Sequence, residues 1–280
     1  MKISVFPNIN NDGISELTES IVSTLNTFGV EVKVANCNAD PFSFGNENEL
    51  FSYCDIAIAV GGDGTTLNVA KKASILGKAT LGINAGRLGF MSGLEKNELN
   101  LLECLVENKY SVTERMMLKT EIIENGNLLS TYHYLNDAVI SRGDLARLID
   151  INVTSEGREV TKTRADGMIV STPTGSTAYS MAAGGPVLSP DNKCFVVTPI
   201  CPHSLINRSI VFSSDKIITL SVGNDKNNKS FLSIDGEQSI PINADTNIVI
   251  SKSQYNAKLI KIKPDNFYEI LNKKILERRN

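Results

Sequence analysis

The stretch Ile56-Ala-Ile-Ala-Val-Gly-Gly-Asp-Gly-Thr65 carries the fold class. Its first five residues are an unbroken apolar run, as in a strand covered on both faces. Glycines end the run at once. Residues 65–76 then place Leu67, Ala70, Ala73 and Leu76 at helical spacing, with Gly77 as the stop. A strand running directly into a helix is the unit of a parallel sheet, which holds ligands at the carboxyl ends of its strands. The same grammar repeats on both sides. Residues 3–6 predict a strand ended by Pro7-Asn8, and Leu17, Ile21, Val22 and Leu25 predict a helix stopped by Gly29. Residues 30–35 and 80–83 predict two more strands. The first hundred residues therefore read as an α/β domain.

Near residue 110 the pattern changes. Short β-type runs at 119–123, 128–134, 149–154, 168–171, 195–199, 217–222 and 247–251 follow one another without a helical period. Asn125-Gly126 between the first two is a hairpin signal, because both residues tolerate positive φ. This region predicts an antiparallel, sandwich-like β domain. The chain ends on a helical stripe of Phe267, Ile270, Leu271, Lys274 and Ile275. The expected domains are 1–112 with 254–280, and 113–253. Basic residues in the tail complement a helix C-terminus.

The chain has 280 residues and a formal net charge of −3, with 28 Lys and Arg against 31 Asp and Glu. A nucleic-acid module held by phosphate contacts would carry a basic excess, so no nucleic-acid partner is expected. Five dispersed cysteines without a CxxC pair suit small buried hydrophobes in a reducing compartment. His133 and His203 have no metal-ligand spacing, and no apolar run is long enough to span a bilayer. The N-terminus fails as a secretory signal. The expectation is a soluble cytoplasmic protein with no membrane partner.

Three clusters carry chemistry. Gly61-Gly62-Asp63-Gly64-Thr65 joins a strand to a helix, where backbone N–H groups can approach phosphate oxygens. An aspartate in such a cradle repels the anion that the loop attracts. It makes sense as a base for an incoming hydroxyl or as a magnesium ligand bridging to phosphate; capping of the helix by Asp63 or Thr65 is the bland alternative. The second cluster, 82–90 (GINAGRLGF), follows the next strand and offers Arg87 as a phosphate ligand. The third joins Asp166-Gly167 to 171–186 (STPTGSTAYSMAAGGP), whose hydroxyls and tyrosine can bond a base and sugar or simply make turns. Taken singly, Asn136-Asp137, Asp235-Gly236 and Pro202-His203-Ser204 are weaker signals. The chain has neither GxxxxGK[ST] nor GxGxxG, so it is neither a Walker-type NTPase nor an ordinary Rossmann dehydrogenase.

With GGDGT at 61–65, GINAGRLGF at 82–90, Asn136-Asp137, Asp166-Gly167, the 171–186 stretch and TPICPHSLINRSIVF at 198–212, the chain resembles the NAD kinases. GGDGT alone is shared with diacylglycerol, sphingosine and 6-phosphofructokinase-type enzymes; the 171–186 stretch is far more specific. The resemblance implies an α/β domain followed by a β-rich domain, with the C-terminal segment returning to the first. It implies magnesium-dependent phosphorylation of the adenosine 2′-hydroxyl of NAD, with ATP or polyphosphate as donor. Asp63 would be the catalytic base, and Gly61, Gly62, Gly64, Thr65 and Arg87 would bind phosphate. Asn136 and Asp137 would contact adenine and ribose, where the family commonly has glutamate at the second position. Arg164 joins the substrate-binding set and Asp166 would face the nicotinamide half. Thr174, Thr177, Ala178 and Tyr179 would line the adenosine pocket. Members of the family are usually homodimers or homotetramers, with a site between domains that a neighbouring subunit helps complete.

Overall fold

Five of the six residues of β1 (Lys2–Pro7) are buried, which a strand achieves only inside a sheet covered on both faces. The structure is a computed structural model that describes every residue except 10–11, 36–46, 87–88, 144–146, 204–207, 224–228, 265–266 and 278–280. Helix α1 (Ile14–Thr27) turns Ile14, Thr18, Ile21 and Leu25 inward at helical spacing, and Gly29 follows it at φ 71°. Then come β2 (Glu31–Val34), α2 (Glu47–Tyr53), β3 (Ile56–Gly61), α3 (Asp63–Ile75) and β4 (Ala79–Asn84). The sequence pattern does not mark α2, because among its described side chains only the adjacent Leu50 and Phe51 are buried and no three-to-four repeat can be read from them.

These strands are parallel, in the order β2-β1-β3-β4. Ile58 and Val60 pack on one face with Ile21, Leu25, Leu102 and Leu105, while Ala57 and Ala59 face Phe6, Phe51, Val69 and Ala73. That two-sided burial explains the unbroken apolar run of β3. The short β5 (Leu94–Glu95) pairs with β4, and a 3-10 turn (Leu99–Leu102) leads into α4 (Glu103–Val106). The chain steps outward from β1 to β2, then crosses back to β3. The order thus reverses between β1 and β3, the position where open α/β sheets bind ligands.

The chain continues with β6 (Ser111–Glu124), β7 (Asn127–Tyr134), β8 (Asp137–Arg142), β9 (Ile149–Ser155), β10 (Arg158–Ala165) and β11 (Gly167–Ser171). A 3-10 turn (Gly175–Thr177) and α5 (Tyr179–Ala182) come next. β12 (Cys194–Ile200), β13 (Ile210–Ser213), β14 (Ile218–Val222), β15 (Ser230–Ile234), β16 (Gln238–Ile242) and β17 (Thr246–Lys261) follow, and α6 (Phe267–Glu277) closes the chain. By contacts, the first unit is Met1–Glu114 with Asn256–Asn280, and the second is Arg115–Tyr255. The β6–β7 turn sets Asn125 and Gly126 at φ 50° and 80°.

In the second unit, β10-β9-β14-β17 run side by side, with β6 beside β17 and β7 beside β6; the other sheet is antiparallel, in the order β13-β12-β11-β8-β15-β16. One core draws Leu118, Tyr134, Val153 and Leu220 from the first sheet and Ile140, Val170, Val197 and Leu232 from the second, as in a sandwich. β8, β10, β13, β15 and β16 lie outside the runs named above; β10 (REVTKTRA) is an edge strand whose mostly exposed residues hide its period. Among the described residues, no helix is long and apolar enough to cross a membrane.

Candidate active site

In the first unit the two glycine loops meet at the Asp63 carboxylate. Asp63 is the first residue of α3, and the position before it is Gly62, which has no side chain to cap the helix. The Asp63 side chain leaves its own helix. It accepts the Phe90 N–H at Oδ2 and the Met91 N–H at Oδ1, each at 3.0 Å. Lys274 Nζ of α6 lies 3.1 Å from Oδ2. The bland capping alternative therefore does not describe Asp63. At position 89 a Cβ would overlap Asp63 Oδ1, so a side chain there would displace the carboxylate from this arrangement. The strand ends are tied together as well: the Ala85 N–H donates to the Gly61 carbonyl at 3.1 Å and the Asn8 N–H to the Val60 carbonyl at 2.9 Å.

Asn8, at the carboxyl end of β1, also donates from Nδ2 to Thr65 Oγ1 at 3.3 Å. A cleft of about 280 Å³ opens there, lined by Phe6, Asn8, Phe51, Thr65, Asn68 and Lys72. It sits at the switch point between β1 and β3. Gly64 lines the same cleft, and nothing lies within 4 Å of a Cβ built on it. Packing does not require glycine at that helical position, where it costs about 1 kcal/mol relative to alanine. Arg87 lies outside the described residues.

In the second unit, antiparallel pairing brings three motifs to one sheet end. Ser171, the last residue of β11, stands opposite Asp137, the first of β8, and Ile234 near the end of β15 stands opposite Ala138. Asp235 then accepts the N–H groups of Leu135, Asn136 and Asp137 at 3.2, 2.8 and 3.2 Å. On the other side, Thr172 donates its hydroxyl to the Leu135 carbonyl at 2.5 Å and its N–H to the Asn136 carbonyl at 2.9 Å. A Cβ at Gly175 would overlap the Asn136 backbone. The Asn136-Asp137 turn is thus gripped from two directions. Burial, and then the nearby Asp235 charge, push the Asp137 carboxyl up to about 7.

Thr174 Oγ1 is buried without a hydrogen-bond partner among the described residues, Thr177 donates to the Thr174 carbonyl at 3.2 Å, and Tyr179 is exposed. Ala178 lies between them at the start of α5. Arg164 and Asp166 stand at the opposite end of β11, roughly 15 Å away at about 3.3 Å per residue. There Asp166 Oδ1 pairs with Arg142 Nε at 2.8 Å, and the His203 N–H donates to the Arg164 carbonyl at 2.8 Å. Within the second unit, Arg164 and Asp166 are thus not brought to the sheet end that holds Asn136 and Asp137. In the sequence Asp235 has the look of a turn residue, Asn8 of a strand stop and Lys274 of one position in a helix stripe. No local motif marks any of the three.

The class of protein with this fold, as the family matches show, is the phosphotransferases with an alcohol group as acceptor. Residues 3–110 match the ATP-NAD kinase N-terminal domain, and residues 135–262 the ATP-NAD kinase C-terminal domain. The chain belongs to the NAD kinase family. It is 39% identical over 282 residues to the NAD kinase of Caldanaerobacter subterraneus subsp. tengcongensis, covering 99% of both chains. To that of Acetivibrio thermocellus it is 35% identical over 283 residues, covering 99% of this chain and 98% of that one. The crystal structure of an NAD kinase from Archaeoglobus fulgidus in complex with ATP matches with a TM-score of 0.77 at 27% identity, covering 98% of each chain. Yeast NADH kinase complexed with NADH shares the fold, with a TM-score of 0.83 at 23% identity over 98% of this chain and 87% of that one.

Proposed function

We propose that this chain transfers the terminal phosphoryl group of ATP, or of polyphosphate, to the adenosine 2′-hydroxyl of NAD, with Asp63 as the base. The observation that carries this reading is the arrangement of hydrogen bonds at Asp63. A carboxylate offers about four lone-pair directions, and two backbone N–H groups and one ammonium take three of them. One direction remains for an alcohol, on a side chain that is about one-third exposed. The hydroxyl oxygen attacks the terminal phosphorus, its proton passes to Asp63, and the bond from phosphorus to the bridging oxygen breaks to release the shortened donor.

Gly61, Gly62, Gly64 and Thr65 are the donor-phosphate ligands in this reading, with Arg87 as a further candidate. The open space beside Gly64 and the Asn8–Thr65 contact support that assignment. Asn136 is the adenosine contact. Asp137, only 6% exposed, acts from behind it. Thr174, with its unpartnered hydroxyl, joins Thr177, Ala178 and Tyr179 as the adenosine pocket. Asp63 already accepts from two N–H groups and an ammonium, and among the described residues no three His, Cys, Asp or Glu side chains cluster. Magnesium enters with the nucleotide, as part of the substrate.

Arg164, near the end of β10, and Asp166, just before β11, stand roughly 15 Å from the sheet end that holds Asn136. We assign them to the nicotinamide half of NAD bound by a second copy of the chain, in a homodimer or homotetramer working in the cytoplasm.

The deciding experiment mixes the protein with NAD, ATP and magnesium and follows NADP through an NADP-specific dehydrogenase. Asp63→Asn is expected to lose 10²-fold or more in kcat, roughly the scale of a positioned base, with its melting temperature preserved. Near-normal turnover by that variant removes Asp63 from the role.

A further inference from the structure

A carboxylate inside an anion-binding loop poses an electrostatic problem that α6 resolves. The Asp63 charge stands at the first turn of α3, beside the cleft lined by Thr65, Asn68 and Lys72. At separations of about 5 Å, two like charges near a protein surface repel strongly enough to cost a ligand most of its affinity. Lys274 meets that charge directly, with Nζ 3.1 Å from Oδ2. The same ammonium lies 4.5 Å from the centroid of the Phe90 ring. Phe267, at the start of α6, packs on that ring at 5.8 Å. One aromatic residue thus serves both ends of the contact: the Phe90 N–H holds Asp63, and its ring seats the helix that delivers Lys274. The pair is only partly exposed, 27% for Lys274 and 33% for Asp63, so solvent does not fully screen it.

We propose that Lys274 is a positioning residue that neutralises Asp63 so that a polyanionic phosphoryl donor can bind beside the catalytic carboxylate. The proposal rests on the phosphotransferase reading of Asp63 and extends it to the C-terminal helix, which carries no recognisable motif. Lys274 acts through Asp63 and not as a phosphate ligand. The consequence is specific: the need for the lysine disappears once the aspartate charge is gone.

Calorimetric titration of the full chain with ATP and magnesium, and separately with inorganic tripolyphosphate, tests this. Lys274→Gln is expected to weaken binding of both donors roughly 10- to 100-fold, as an uncompensated charge at this distance would. Lys274→Arg should bind like the native chain and serves as the folding control, with melting temperatures of all variants compared. The double variant Asp63→Asn, Lys274→Gln should recover donor affinity to within a few-fold of native. Unchanged binding by Lys274→Gln overturns the proposal. Weak binding that persists in the double variant overturns it too, because the lysine would then be contacting phosphate itself. Affinity is read here without turnover, so these outcomes are independent of whether Asp63→Asn retains activity, which tests the base reading alone.

Discussion

Asp137 and Asp235 illustrate how one residue type takes two roles from its surroundings. Asp235 spends its carboxylate on three consecutive backbone N–H groups. Asp137 is buried beside that charge, and its carboxyl rises from 3.8 to about 7. Between those two values the folded state keeps a proton that the unfolded chain has lost. Stability attributable to this group is therefore fully present below about pH 4 and falls as pH rises through about 7, by at most about 4 kcal/mol at 1.36 kcal/mol per unit. Asp137→Asn should remove that decline. Urea midpoints at pH 5 and pH 8 would differ less in the variant than in the native protein; an equal difference would show that Asp137 does not carry the slope.

At the level of elements, helix α3 is built with a deliberate weakness at its start. Gly64 stands in the first turn with open space where a Cβ would be, so Gly64→Ala meets no steric obstacle in the folded chain. It should raise stability by up to about 1 kcal/mol through helix propensity. The same methyl group would stand over the N–H groups that we assign to donor phosphate. A higher melting temperature together with a raised KM for ATP is the expected pair of results; a stabilised variant with native KM would mean that the donor does not approach this turn. The second unit uses strand pairing for the same purpose. Because β8 is antiparallel to β11 and β15, its start lies beside both neighbours' ends, and Asn136, Thr172 and Asp235 meet without any contiguous motif.

For the whole molecule, the separation of the residues that we assign to NAD in the second unit has a consequence for assembly. Asn136 stands at one end of β11's neighbourhood and Asp166, held by Arg142, at the other. If two copies each contribute one set, then Asn136→Ala and Asp166→Asn inactivate different halves of a shared site. Co-refolding the two inactive variants should restore measurable NADP formation in mixed oligomers, whereas each alone should stay below about a tenth of native kcat, the loss expected when a substrate group is left without its hydrogen-bond partner. No recovery from a mixture shown to contain mixed oligomers would place both sets in one chain's own site.

Much of this molecule was legible in local pattern. The 56–65 stretch announced a parallel strand, a glycine turn and a helix, since two-sided burial demands an apolar run and the turn demands glycine. The loss of helical period after 110 likewise marked the β-rich unit, and Asn125-Gly126 marked its first hairpin. Edge strand β10 and helix α2 were not legible, because too few of their residues are buried to write a period. Nor were the partners of the site. Asp63 meets Phe90 and Lys274 across 27 and 211 positions, and Asp235 meets Asn136 across 99. Local sequence determines which backbone conformations are cheap and which faces are apolar. Which distant side chain completes a carboxylate's shell depends on how the packed elements bring it there, and only the tertiary structure decides that.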